Sequence, residues 1–477
     1  MNDELYEIMA PVGSRESLAA AINAGADSIY FGIEKLNMRA HSASTFTIED
    51  LKEIAALTAE HGIKSYLTVN TIIYGEDLEQ MREIIDAAKE ANISAVIASD
   101  VAVMMYCKQV GQEVHLSTQL NISNIEALRF YAQFADVVVL ARELRMDQVK
   151  AIHEQAVKEN ICGPSGNPIR IEMFCHGALC MAISGKCYLS LHNANRSANR
   201  GECVQICRRG YKVNVNVNGN GNDTLRYDTA SPTIREQARY DNDAQYLATD
   251  VETGNELLID NKYIMSPKDL KTIRFIDKMM DAGVRVFKIE GRARGPEYVD
   301  TVVRCYKEAI KAVLHDGNVN GNGNGLREAP EHQLERKNVN GNGNKAFTEE
   351  AKDAWDERLS RVFNRGFWDG YYLGQTLGEW NDSYGSKATE KKVYAAKTIK
   401  YFSKIGVAEL QVEAHEIKVG DKLLITGPTT GAMYIDEVKE IRYDLKPVDV
   451  AKKGQRISIA VPDKVRPSDK VFVIEKN

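Results

Sequence analysis

Four cysteines, Cys180, Cys187, Cys203 and Cys207, lie within EMFCHGALCMAISGKCYLSLHNANRSANRGECVQICRRG. Six residues separate the first pair, three the second, and fifteen lie between the pairs. One segment can therefore bring four thiolates to one point, which is a metal-site pattern. Structural zinc packs its thiolates at ~2.3 Å around one atom and favours knuckles with two to four intervening residues; only the second pair fits that description. On one continuous helix Cys180 and Cys187 would stand ~10 Å apart. An iron–sulfur cluster is wider and tolerates irregular spacing, and Gly185 would break such a helix and let the two sulfurs approach. The competing reading is four buried structural cysteines.

The elements that must carry this chemistry show in the first 174 residues, where short apolar runs alternate with helix-length amphipathic segments such as Ile48–His61 and Glu79–Ala91. The runs Tyr6–Ala10, Ser28–Phe31, Ser65–Asn70, Ala95–Ser99, Glu113–Thr118, Val137–Ala141 and Ile169–Phe174 read as parallel strands buried on both faces. An eighth, Val284–Glu290, follows the cysteine segment and a polar insertion. The fold class is therefore α/β, a (β/α)8 TIM-like barrel with a Cys-rich insertion before the last strand; an open doubly wound sheet is the alternative. In such a barrel chemistry sits at the C-terminal strand ends. Polar residues cluster there: Asn70, Asp100, Ser117, Gln119, Asn121, Arg142, Glu172, His176, Lys288, Glu290 and Arg292. Arg142, Lys288 and Arg292 could hold carboxylates or phosphates, with Ser117, Asn121 and Glu290 beside them. His176, Glu172 and Gln119 are the candidates for the reacting groups. His176 stands four residues before Cys180, where it could bridge a substrate pocket and a metal, or be a satisfied structural imidazole.

Asn-Val-Asn-Gly-Asn-Gly-Asn occurs three times, from Asn216, Asn318 and Asn338, and reads as surface connectors. From Val393 the rhythm changes to short strands, Val407–Glu413, Lys422–Thr426, Tyr434–Val438, Ile457–Val461 and Lys470–Ile474, which predicts a small all-β barrel. The expected division is residues 1–300 for the barrel, with the cysteine segment at 172–210 and an insertion at 211–260, then a helical and linker region at 301–392 and the β domain at 393–477. The chain has 477 residues, 44% hydrophobic and 27% charged, with a net charge of −6. Its start, MNDELYEIMAPVG, lacks a basic segment followed by an apolar one, and no apolar run reaches the ~20 residues of a membrane span. A cytoplasmic protein is expected, with reduced cysteines available to metal. The acidic balance argues against a chain coated in basic charge, yet leaves room for a local basic face.

Glu172, Phe174, Gly177-Ala178-Leu179-Cys180, Gly185, Cys187, Leu189 and Ser190 together resemble the signature of the collagenase-like peptidase family of unassigned catalytic type. Arg196-Ser197-Ala198-Asn199-Arg200-Gly201-Glu202-Cys203 and Cys207-Arg208-Arg209 are similar to its RNA-modifying members. The resemblance implies an oxygen-independent hydroxylase with a 4Fe-4S cluster on Cys180, Cys187, Cys203 and Cys207. It further implies prephenate, a dicarboxylate, as oxygen donor and the wobble uridine of tRNA as target, with ribosomal RNA as the other candidate. Ile417-Lys418-Val419-Gly420-Asp421 and Arg466-Pro467-Ser468-Asp469-Lys470-Val471-Phe472 resemble the second-domain barrel of translation factors, which adds to the expectation of a tRNA partner. Proteolysis is the competing class. His153-Glu154 begins a zinc-protease pattern, but Val157 occupies the place of its second histidine. There is no Gly-x-Ser-x-Gly, which leaves Cys180 as nucleophile with His176 as base, or a metal-stabilised module that only binds RNA.

Overall fold

The computed structural model describes residues 5–33, 35–38, 40, 46–211, 246–249, 256–259, 263–317, 345–375, 378–383 and 385–477. The three Asn-Gly tracts lie outside the described residues. Eight parallel strands form a closed barrel: β1 Glu7–Pro11, β2 Ser28–Phe31, β3 Lys64–Val69, β4 Ala95–Ala98, β5 Val114–Leu116, β6 Val137–Val139, β7 Arg170–Gly177 and β8 Val284–Ile289. β8 closes the ring by pairing with β1, Glu7 opposite Val286, and with β7, Phe287 opposite Met173. Helices between the strands start on side-chain caps: Ser14 accepts from the Ser17 N–H, Asp100 from Ala102 and Asn124 from Ala127.

Alternation along each strand divides the core in two. Inside the barrel pack Met9, Tyr30, Tyr66, Ala95, Ile97, Val137 and Val286. Their neighbours Ile8, Ile29, Leu67, Val96 and Phe287 belong to the larger cluster under the helices. The excursion between β7 and β8 holds the cysteine segment, the hairpin Tyr246–Thr249 and Glu256–Ile259, and a short strand, Asp269–Lys271. That strand runs antiparallel to the end of β7 and is joined by Phe367–Trp368, so the 301–392 region reaches back to the barrel. The helix Pro296–His315 crosses the expected limit at residue 300 and buries Val299, Val302, Val303 and Tyr306 against the barrel core.

The C-terminal region is an antiparallel all-β region whose central strand, Glu390–Phe402, pairs with both Val407–Val412 and Lys470–Lys476. It sits against the first helix of the barrel, Arg15–Asn23. Gly431, at φ +69, approaches so closely that a Cβ there would lie 2.7 Å from the Ala20 nitrogen. Asn23 donates to the Thr430 carbonyl at 3.2 Å, and Lys392 pairs with Glu297 at 2.7 Å. Among the described residues no helix is long and apolar enough to cross a membrane.

Candidate active site

The inward positions at the C-terminal strand ends build a charged floor. Lys288 and Glu172 face each other from β8 and β7, both buried, with Nζ to Oε1 at 2.7 Å. The Lys288 ammonium also lies 4.8 Å from the Tyr30 ring centre and 5.6 Å from that of Phe174. The second carboxylate oxygen of Glu172 is buried with no hydrogen-bond partner. Arg292 donates from Nη1 to Thr68 Oγ1 at 2.8 Å and to Asn37 Oδ1 at 3.2 Å. Gly32 leaves the room for it: a Cβ there would stand 2.7 Å from that nitrogen. Arg142 stacks on the Phe174 ring at 3.7 Å and donates to the Ala178 carbonyl at 3.1 Å.

Above this floor the cysteine segment is mostly coil and is tied down from several sides. Asn121, itself left-handed at φ 53, donates to the Ser184 carbonyl at 3.1 Å. Gly185, at φ +73, packs on Gln119, whose Cβ would lie 3.1 Å from a Cβ at that glycine. Arg208 donates to the Leu179 carbonyl at 2.6 Å, to Ser266 Oγ at 3.1 Å and to the Pro267 carbonyl. Arg200 pairs with Asp77 and donates to the Ile72 carbonyl at 2.9 Å. Segment and strand ends enclose a cavity of 240 Å³.

All four thiols of Cys180, Cys187, Cys203 and Cys207 line this cavity. Burial pushes the Cys207 thiol up; Arg208 opposes that, and the charges of Cys180, Cys203 and Cys187 add to it, which places the four sulfurs in one neighbourhood. Among the described residues no three His, Cys, Asp or Glu side chains are set tightly enough to hold a single metal ion. Four thiols lining one volume are the donors that an iron–sulfur cluster would take. Six cations line the same cavity, Arg142, Arg208, Lys288, Arg292, Arg294 and Arg365, against one acid, Glu290.

Of the residues singled out in the sequence, Asn70, Ser117, Gln119, Arg142, Lys288, Glu290, Arg292 and the four cysteines line the cavity. Glu172 lies beneath it as the counter-charge of Lys288. Asn121 serves the backbone of the cysteine segment. His176 is a correction. It does not reach the mouth but is buried outside the barrel among Tyr298, Tyr306 and Phe367, with Nδ1 3.3 Å from the Tyr306 hydroxyl. The cause is a register shift in which Phe174 opposes Lys288 and His176 opposes Ile289, so the inward parity of 170, 172 and 174 is lost. Burial, with Lys271 adding, pushes the His176 imidazole down to about 3. It cannot serve Cys180 as a base.

Arg294 and Arg365 were not anticipated. Arg294 lies two residues after Arg292, and Arg365 comes from the segment beyond the barrel, held by Asp269 at 3.5 Å. Only the first had a local signal.

The model of peptidase family U32 matches residues 13–382. The chain belongs to peptidase family U32. Among curated U32 relatives it is similar to a protein of Porphyromonas gingivalis named collagenase, 60% identical over 476 residues, covering 100% of this chain and 99% of that protein. It is also similar to tRNA hydroxylation protein P1 of Bacillus subtilis, 35% identical over 313 residues, 65% of this chain and 64% of that one. A 23S rRNA 5-hydroxycytidine synthase of Escherichia coli is 30% identical over 312 residues, 65% of this chain and 40% of the relative. The names of these relatives divide between proteolysis and RNA hydroxylation.

Proposed function

We propose that this U32 protein is an oxygen-independent RNA-hydroxylating enzyme that converts the wobble uridine of tRNA to 5-hydroxyuridine. In this reading Cys180, Cys187, Cys203 and Cys207 hold a 4Fe-4S cluster, prephenate is the oxygen donor, and the enzyme works in the cytoplasm. The observation that carries the proposal is the single cavity in which four thiols meet six cations and one acid. The chemistry supplied by a bound cluster would be redox or Lewis-acid chemistry at the wall formed by the cysteine segment. The residues of the chain do the rest. Lys288, kept in place by Glu172, and Arg142 and Arg292 offer charge-assisted hydrogen bonds to carboxylates. Tyr30 and Phe174 give the apolar body of a donor a surface to lie on.

The peptidase reading has the name of the Porphyromonas gingivalis relative behind it. Its chemistry is poorly served here: among the described residues the cavity is lined by no histidine and no aspartate, and His176, four residues before Cys180, faces away. Mass spectrometry of nucleosides from cells with and without this protein separates the readings. Loss of 5-hydroxyuridine from tRNA is the expected result. Loss of 5-hydroxycytidine from ribosomal RNA would move the substrate, and unchanged nucleosides in both would overturn the proposal.

A further inference from the structure

The outer face of the cysteine segment carries groups that neither the cavity nor the fold uses. Tyr188, next to the cavity-lining Cys187, is 71% exposed, the most exposed aromatic side chain among the described residues. Leu191, in the helix Leu189–Ala194 that Tyr188 precedes, is exposed as well. An uncovered tyrosine pairs an apolar ring with a polar hydroxyl, the combination that interfaces use. In the same segment Lys186, Arg196 and Arg209 are all exposed and without an ion pair among the described residues. Several surface cations elsewhere are paired: Lys52 with Glu90, Arg129 with Glu126 and Glu159, Arg274 with Glu349, Asp353 and Asp356. In the stretch 178–211 five Lys and Arg face one acid, Glu202, in a chain whose net charge is −6. Across the segment a second flat surface is exposed, where the Arg200 guanidinium lies 4.1 Å above the ring of Tyr74.

We infer that this rim docks single-stranded RNA, with one unpaired base stacked on Tyr188 and the flanking phosphates on Lys186, Arg196 and Arg209. Aromatic platforms interleaved with cations are the recognition mode for an unpaired strand, whose bases offer π-faces and whose backbone repeats a negative charge. A polypeptide carries no regular negative charge and would leave these cations and the cationic cavity behind them unmatched. The inference rests on the RNA reading of the cavity and adds the surface that presents a base to it. A duplex, with its bases stacked inward, has no free face for Tyr188.

The test uses the full chain and a fluorescein-labelled oligouridine of about ten nucleotides, read by anisotropy over a range of salt. Tyr188→Ala should weaken binding about tenfold while Tyr188→Phe stays within about twofold, because stacking needs the ring and not the hydroxyl. Lys186→Ala/Arg196→Ala/Arg209→Ala should lower the slope of log affinity against log salt by about two. An RNA duplex of equal length should bind more weakly than the single strand and be indifferent to Tyr188→Ala. Wild-type affinity in Tyr188→Ala, or an unchanged slope in the triple variant, would overturn the inference. So would a labelled gelatin peptide that loses affinity with Tyr188→Ala while the oligonucleotide does not. Strand binding that fails in these variants, together with unchanged nucleosides in cells lacking the protein, would keep the docking surface and remove only the hydroxylation reading.

Discussion

At the N-terminal end of the barrel the buried charge of Glu7 is answered within the barrel wall. Glu7 receives Arg170 at 3.0 Å, Lys64 at 3.5 Å and the Tyr66 hydroxyl at 2.8 Å. At the C-terminal end the inward polar groups are left with capacity to spare: the second oxygen of Glu172, Arg142 Nε and Thr118 Oγ1 are buried without partners. Both ends are made by the same alternation on the same strands. The difference is that one end is closed by side chains that pair with each other, whereas the other is roofed by a coil segment that pairs with the rim and leaves the middle open. Unsatisfied buried polar atoms cost stability; Ser28 Oγ and His115 Nδ1 also lack partners toward the base, but Arg142 and Thr118 line the open cavity, which marks where the molecule is built to receive something.

The comparison predicts that changes at the mouth remove ligands and changes at the base remove stability. The largest effect is expected from the thiols. Replacing any one of Cys180, Cys187, Cys203 or Cys207 by Ala should take away most of the iron bound by anaerobically purified protein. Cys107→Ala and Cys305→Ala, at buried positions away from the cavity, should keep it. A colourless wild-type protein carrying zinc would end the cluster proposal.

At the base, Glu7→Gln should cost about 3 kcal/mol in denaturant unfolding, the low end for breaking a buried pair, because Arg170 keeps part of its surface in water. Burial alone would raise the Glu7 carboxyl; the charges of Arg170 and Lys64 outweigh it and hold it at about 2. A carboxylate lowered in the folded state stabilises above its ordinary value of 4.5 and loses that contribution as pH falls toward 2. The gap between wild type and Glu7→Gln should therefore be full at neutral pH and shrink below pH 4.5. A gap that is constant with pH would show that packing, not charge, matters there.

The smallest of the three effects sharpens the contrast within the mouth. Arg142→Ala and Arg292→Ala should each weaken use of a carboxylate donor by about 1.5–3 kcal/mol, the worth of a charge-assisted hydrogen bond, with iron content unchanged. Kinetics at limiting prephenate read the loss. Normal turnover in both variants would assign these cations to another ligand.

Much of this division could be read in advance at the level of strands. The eight apolar runs lie within a few residues of the eight barrel strands, since a strand buried on both faces must be apolar throughout and its length is set by the barrel. Lys288, Arg142 and Gln119, at or just past the polar ends of these runs, line the cavity. The short strand Asp269–Lys271 gave no such signal, because three residues paired to the overhang of β7 need no pattern of their own. The same is true of Glu390–Phe402, whose run of Lys, Thr and Tyr is a strand because neighbours on both sides pair with it.

The sequence by itself determined the period of burial, the thiol spacing and the excess of cations near the cysteines, all properties of neighbours along the chain. Tertiary structure alone decided which way a side chain faces once the alternation is interrupted. One register shift in β7 sends His176 to a pocket of aromatic rings and leaves Phe174 in the cavity. It alone brought Arg365 beside Arg208, and Glu172 beneath Lys288. Separations of more than a hundred residues are closed by the barrel and its packing, and no local pattern encodes them.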